Sequence, residues 1–348
     1  MSKDIFTSQR KLEHLEICYE KDVESGHTGF GDIRLVHCAL PECDMDTIDT
    51  RVSFLGRTLD SPLFIAAMTG GHPDTKDVNA VLAGAAEEFN IGMGVGSQRA
   101  ALENPELEDS FTVVREKAPG AFICGNLGAV QLREHGNEWA DRAVEMIDAQ
   151  ALCIHLNFLQ EAIQPEGDHN ATGCLDAIED LCSSARYPVI IKETGCGISV
   201  EVGRQLYAAG VAAIDVGGLG GTSWATVEAH RATTGPQADL GRLFSDWGIP
   251  TAACLYEVSK LGGPVIATGG IRTGLDIAKA IALGANLGGM ALPLLKQAMN
   301  GSEAISDGIM TFNTQLKSAM FLTGASTIRE LSGIRKYVSG ITREIIKE

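Results

Sequence analysis

A chain of 348 residues that is 45% hydrophobic, with 40 glycines and only 5% aromatics, has a globular composition of aliphatic packing and tight turns, which excludes disorder. A formal charge of −17 repels nucleic acid and anionic membrane surfaces, so an anionic substrate needs a local basic site. Nine scattered cysteines without a CxxC pair or zinc-finger spacing, apolar runs too short to span a bilayer and a start lacking an apolar signal core point to reduced thiols in a cytoplasmic protein.

Residues 1–60 are charged and irregular, with a helix-like QRKLEHLEIC start, and read as an amino-terminal extension. From residue 61 onward there are eight short apolar runs, each ending in or running into glycine or a polar residue apart from the last: 62–68, 91–97, 121–126, 151–157, 188–193, 212–217, 264–270 and 287–293. Helical patterns separate them at 78–89, 139–149, 175–184, 200–209 and 275–283. Buried strands alternating with helices predict a parallel sheet, and the count of eight predicts a closed (β/α)8 TIM barrel over 61–348. A doubly wound open sheet is the alternative, weakened because no GxGxxG opens a helix after the first strand. The long stretch 217–260 is expected to hold extra helix or a lid, and the tail 311–348 to form an amphipathic helix.

A barrel of this kind collects its chemistry at the carboxyl ends of the strands. There the sequence places MTGG (68–71), SQR (97–99), Asn126, HLNFLQE (155–161), Lys192 and Glu193, GGLGGTS (217–223), TGGIR (268–272), and Ala291 with Leu292. The glycines after strands seven and eight, with Thr222 and Ser223, fit a phosphate bound by backbone N–H groups. Lys192 interrupts an apolar strand and needs an anionic partner, either a reduced flavin or a carboxylate such as Glu193 or Asp215. Glu161 is the lone carboxylate of its run, which suits Mg²⁺ held together with substrate phosphates, and Asp168 and His169 complete no zinc-like set. Arg10, Lys11 and His14 form a compact cationic patch within one helical turn, and Arg99 can share its anion.

These stretches resemble the type 2, flavin-dependent isopentenyl-diphosphate isomerases over nearly the whole chain, through RKLEH, MTGG, GVGSQR, GNLG, HLNFLQE, IKETGCGIS, DVGGLGGTSW, DWGIPT and TGGIRTGLD. The resemblance implies a redox-neutral 1,3-proton shift between isopentenyl diphosphate and dimethylallyl diphosphate. It also implies reduced FMN, Mg²⁺ and NADPH as reductant, in a homotetramer or homo-octamer. By position it assigns Ala67, Met68, Thr69, Ser97, Asn126, Lys192, Thr222, Gly270, Ile271, Arg272, Ala291 and Leu292 to the FMN shell. Arg10, Lys11, His14, Ser97, Gln98, Arg99, His155 and Gln160 fall to the substrate, with His155 and Gln160 catalytic, and Glu161 falls to Mg²⁺. Gly217 departs from the serine of many relatives, and Asn157 is a support position without an assigned role. In this picture the reduced flavin's N5 region moves the proton while Gln160 orients the alkene or assists the second transfer.

Rival flavin-barrel readings lack their residues. A 2-hydroxy acid oxidase needs a His-Gly-Gly-Arg-Gln run before strand seven, and a purine-nucleotide dehydrogenase needs a cysteine after strand six. A flavin-binding module without turnover is the remaining reading from a different class.

Overall fold

The computed structural model describes residues 3–347, so the first two residues of the extension and the last of the tail lie outside it. Eight parallel strands close into a barrel: β1 (Leu63–Ile65), β2 (Gly92–Gly94), β3 (Ile123–Gly128), β4 (Ala151–Leu156), β5 (Val189–Glu193), β6 (Ala213–Asp215), β7 (Val265–Ala267) and β8 (Leu287–Met290). Closure runs through β8 against β1, where Gly288, Gly289 and Met290 pair with Leu63, Phe64 and Ile65. The architecture is a TIM barrel, not the open sheet. Each strand lies inside its predicted run except β3, which continues two residues further, through Leu127 and Gly128.

The first 60 residues reach both ends of the barrel. Helix α1 (Lys3–Glu20) lies across the carboxyl-end mouth, where Lys11, His14, Leu15 and Cys18 line a cavity. At the opposite end a hairpin, Val52–Phe54 against Arg57–Leu59, inserts Phe54 and Leu59 among Phe64, Phe122, Ile190, Ile266 and Leu287. The Phe54 and Phe122 rings meet edge to face at 5.9 Å. Burying two such side chains stabilises the barrel by about 2–3 kcal/mol each, which plugs its floor without a polar group.

Two expectations about helices change. The helix foreseen at 139–149 begins ten residues earlier, as Ala129–Met146, and Gly136 at φ 65° breaks its periodicity and hides the first half. The tail is not one amphipathic helix: Ser302–Thr323 ends at Gly324, whose φ of 76° terminates it. A strand Lys336–Val338 follows and pairs antiparallel with Ile33–Leu35, so the tail returns to the extension. The stretch 217–260 holds helices Trp224–Ala232, Pro236–Leu243 and Thr251–Ser259. Among the described residues, no helix is long and apolar enough to cross a membrane.

Candidate functional site

Strand register builds one polar row across the mouth. Gly128 pairs with His155, His155 with Lys192, and Lys192 with Asp215, which aligns the ends of β3 to β6. Above this row lies a cavity of two lobes, about 980 Å³ and about 740 Å³, which share Lys11, His14, Ala67, Met68, Lys192, Thr194 and Trp224.

The larger lobe is rich in glycine, with Gly195, Gly217, Gly218, Gly269, Gly270 and Gly289 in its wall. Of the residues that the resemblance assigned to FMN, Ala67, Met68, Thr69, Lys192, Thr222, Gly270, Arg272, Ala291 and Leu292 line it, whereas Ser97 and Asn126 line the smaller lobe. Ile271 is fully buried and lines neither lobe, so any contribution from it would be main chain. Gly270 has φ 74°, and a Cβ there would lie 2.2 Å from the Gly220 carbonyl oxygen, so the β6 and β7 loops touch where only glycine fits. Gly217 has φ 47°, with the Glu193 carbonyl oxygen 2.1 Å from where its Cβ would be, so this chain has no room for a side chain there. The segment after α1 straps these loops down: Ser25 N–H donates to Gly221 O, Ser223 N–H donates to Val23 O, and Glu24 pairs with Arg272.

Polar atoms in this lobe stand ready for a ligand. Thr69 Oγ1 is buried without a hydrogen-bond partner. Lys192 Nζ donates to the Glu193 carbonyl at 3.0 Å and, among the described residues, forms no ion pair, although its charge acts on both Glu193 and Asp215 against their burial. Glu193 turns away and accepts N–H bonds from Gly195, Cys196 and Gly197, which fixes the loop carrying Thr194. Burial lifts its pKa to about 7 against those amides and Lys192.

The smaller lobe is made of side chains. Arg10, Lys11 and Arg99 gather there with Ser97, His155, Gln160 and Glu161. Burial, with repulsion from Arg10 and Arg99, pushes Lys11 down to about 8, although Glu161 pulls the other way. Arg10 Nε is buried with no partner. Such clustered cations in an acidic chain call for an external anion. His155 is pushed down to about 3 by burial and by Lys192, Lys11 and Arg99. Asn126 Nδ2 donates to Val95 O, so its Oδ1 faces His155 and takes the Nδ1 proton at 2.9 Å. Neutral His155 therefore keeps Nε2 as an acceptor.

Gln98 does not belong to this set. Its Nε2 donates to Ala143 O at 2.7 Å and its Oε1 accepts Asn126 N–H at 2.8 Å, so the side chain is fully buried behind the wall. The SQR turn points Ser97 into the lobe and Gln98 away from it. Arg99 also bonds Glu103 at 2.8 Å.

Sequence reasoning missed Glu228, on the helix α2 (Trp224–Ala232). It accepts from Gln160 Nε2 at 2.9 Å, meets His14 Nε2 at 3.0 Å and accepts from Arg231 at 2.8 Å. Burial raises its pKa, yet these partners outweigh burial and hold it at about 2. Burial also lowers His14 despite the Glu228 bond. A carboxylate between Val227 and Ala229 in TVEAHR was the available signal. Asn157 gains a role here, because its Nδ2 donates to Glu161 Oε1 at 2.8 Å and lies 3.4 Å from Gln160 Oε1. Glu161 Oε2 accepts from Gln164 at 2.6 Å and from Asp168 N–H at 2.8 Å. Among the described residues no three His, Cys, Asp or Glu side chains cluster as a metal cage. This donor set fits Mg²⁺ bound through one carboxylate and a phosphate-bearing ligand.

Residues 129–336 match the FMN-dependent dehydrogenase family. A mandelate oxidase crystal structure superposes with TM-score 0.65 at 18% identity, covering 97% of this chain and all of the other. A flavocytochrome b2 variant gives 0.65 and 18% over 92% of this chain and 77% of the other. At that identity the likeness shows the fold alone. The isopentenyl-diphosphate delta-isomerase of Methanoregula boonei is 60% identical over 100% of this chain and 98% of its own length. That of Archaeoglobus fulgidus is 55% identical over 98% of both. With a glycine-built lobe beside a cationic one on an FMN-family barrel, and identity at this level from end to end, the chain belongs to the isopentenyl-diphosphate delta-isomerases.

Proposed function

We propose that this chain interconverts isopentenyl diphosphate and dimethylallyl diphosphate by a redox-neutral 1,3-proton shift, with reduced FMN in the larger lobe and the substrate in the smaller. Glu161 would hold Mg²⁺, which would offset the charge of the diphosphate; NADPH is the reductant, and the protein works in the cytoplasm as a homotetramer or homo-octamer. The carrying observation is the shared wall: Lys192, Thr194 and Trp224 face both lobes, so two ligands would meet there in contact. Reduced FMN supplies a proton donor and acceptor at its N5 region, and the residues do the rest.

Arg10, Lys11 and Arg99 take the diphosphate, whose charge offsets their mutual repulsion. His155, neutral in the free protein, gains a proton as the anion arrives and then donates from Nε2. Glu228 takes one Gln160 N–H, which fixes the amide's rotation and turns it toward the alkene. A shift across an unactivated alkene develops tertiary cation character. The Trp224 ring lines the shared wall, where an indole can stabilise such charge, and α1 excludes water that would trap it. Lys192, without a carboxylate partner, is placed to favour the anionic reduced flavin.

The test is incubation of the FMN-loaded, chemically reduced protein with isopentenyl diphosphate and Mg²⁺, followed by NMR. Formation of dimethylallyl diphosphate without net flavin oxidation is expected. No product from a protein whose flavin is bound and reduced overturns the reading and favours a flavin-binding module.

A further inference from the structure

Arg231 sits where three chain segments meet and touches neither lobe. Its Nη1 donates to Glu228 Oε2 at 2.8 Å, its Nε donates to Glu13 Oε2 on α1 at 3.2 Å, and its Nη2 pairs with Glu166 in the loop after β4. Arg10, from α1, reaches the same Glu166 at 3.3 Å. Glu228 is 2% exposed in its side chain, against 40% for Glu166 and 42% for Glu13, so the guanidinium bridges a buried carboxylate to two surface ones.

We propose that Arg231 is a positioning residue that latches α1 over the cavity and, through the same guanidinium, holds Glu228 in the anionic, fixed orientation that aligns Gln160. The proposal rests on the isomerase reading of that site. Three carboxylates on three segments match the separate N–H donors of one planar fork, a match that the point charge of a lysine lacks. The latch is complete only when α1, the β4 loop and α2 are all in place. Arg10 and Lys11 on α1 hold the diphosphate end, and Glu228 on α2 holds the amide at the reacting end. Arg231 therefore makes closure over the substrate and alignment of Gln160 one event. The charged groups facing Glu228 are His14 from α1 and Arg231 from its own helix, with Arg10 and Lys11 of α1 acting on His14.

The experiment uses FMN-loaded, reduced holoprotein carrying Arg231→Met or Arg231→Lys, with turnover measured against pH and amide hydrogen exchange followed across α1. For Arg231→Met, kcat falls about tenfold or more, as expected for a misplaced reacting group. The acid limb moves to higher pH, because Glu228 loses a donor and a cation and protonates earlier, and α1 exchanges faster while the flavin spectrum is retained. Arg231→Lys returns the acid limb toward the parent but leaves α1 exchange fast, since an ammonium serves one carboxylate at a time. A parent-like acid limb and parent-like α1 exchange in Arg231→Met, even with a lower melting temperature, would reduce Arg231 to a structural ion pair and overturn the proposal. Should Arg231→Met not fold, Glu166→Gln, which spares the Glu228 contact, must speed α1 exchange and leave the acid limb in place. Unchanged exchange in that variant likewise overturns it. If the parent protein forms no dimethylallyl diphosphate, the isomerase reading fails and α1 exchange alone decides for or against the latch.

Discussion

The two lobes are built by opposite means. The larger is rich in glycine, which exposes main chain: the β6 and β7 loops approach so closely that Gly270 admits no Cβ. The smaller is a side-chain surface, in which Arg10, Lys11, His155 and Gln160 are held by partners such as Asn126 and Glu228. A main-chain site recognises a phosphate through fixed amides and tolerates little change in backbone angle. A side-chain site can change charge when its ligand arrives, and so can couple binding to chemistry.

Substitutions can separate the halves. The largest effect is expected from Glu228→Gln, which removes the anion anchoring Gln160 and His14: turnover falls about a hundredfold or more while flavin affinity holds, checked by kinetics on reduced holoprotein. Gly270→Ala does the reverse. Its φ of 74° and the clash with Gly220 cost about 1–3 kcal/mol, so FMN affinity drops about tenfold to a hundredfold by flavin fluorescence titration. Arg10→Ala removes a charge-assisted contact and should raise KM about tenfold, with FMN affinity unchanged.

A pH experiment sharpens the contrast further. His155 has its folded pKa depressed to about 3, so between about 3 and 6.5 the unfolded chain binds the proton more readily. Stability contributed at this position is therefore present above 6.5 and lost as pH falls through that window, while diphosphate binding near pH 7 should take up a proton. Calorimetry in buffers of different ionisation heat measures the uptake, and Asn126→Ala should reduce it. The smallest effect on catalysis is expected from Gln98→Leu, which loses two buried hydrogen bonds: about 2 kcal/mol of stability by denaturant titration, with KM unchanged.

The barrel was legible because buried parallel strands are near-continuous apolar runs, and the larger lobe because MTGG and TGGIR announce a turn that only glycine makes. The support of the smaller lobe was not. His14 and Glu228 stand 214 positions apart and Gln160 and Glu228 stand 68 apart, so no local pattern joins them. Gln98 was misread for a related reason: strand alternation ends at the SQR turn, after which neighbouring side chains no longer alternate by rule. The tail misled because its apolar residues keep helical spacing up to Gly324, while the strand that follows is defined by a partner at Ile33–Leu35.

That last pairing bears on how the molecule comes into being. Ile33 emerges from the ribosome early, and its partner Val338 about 300 residues later. The ladder between them carries a high loop-closure entropy cost and forms only after the intervening barrel has shortened the path. The segment from α1 to Ile33, which covers the cavity, is therefore fastened at its far end among the last events of folding, while its near end is held independently by Ser25 on Gly221 and by Ser223 on Val23.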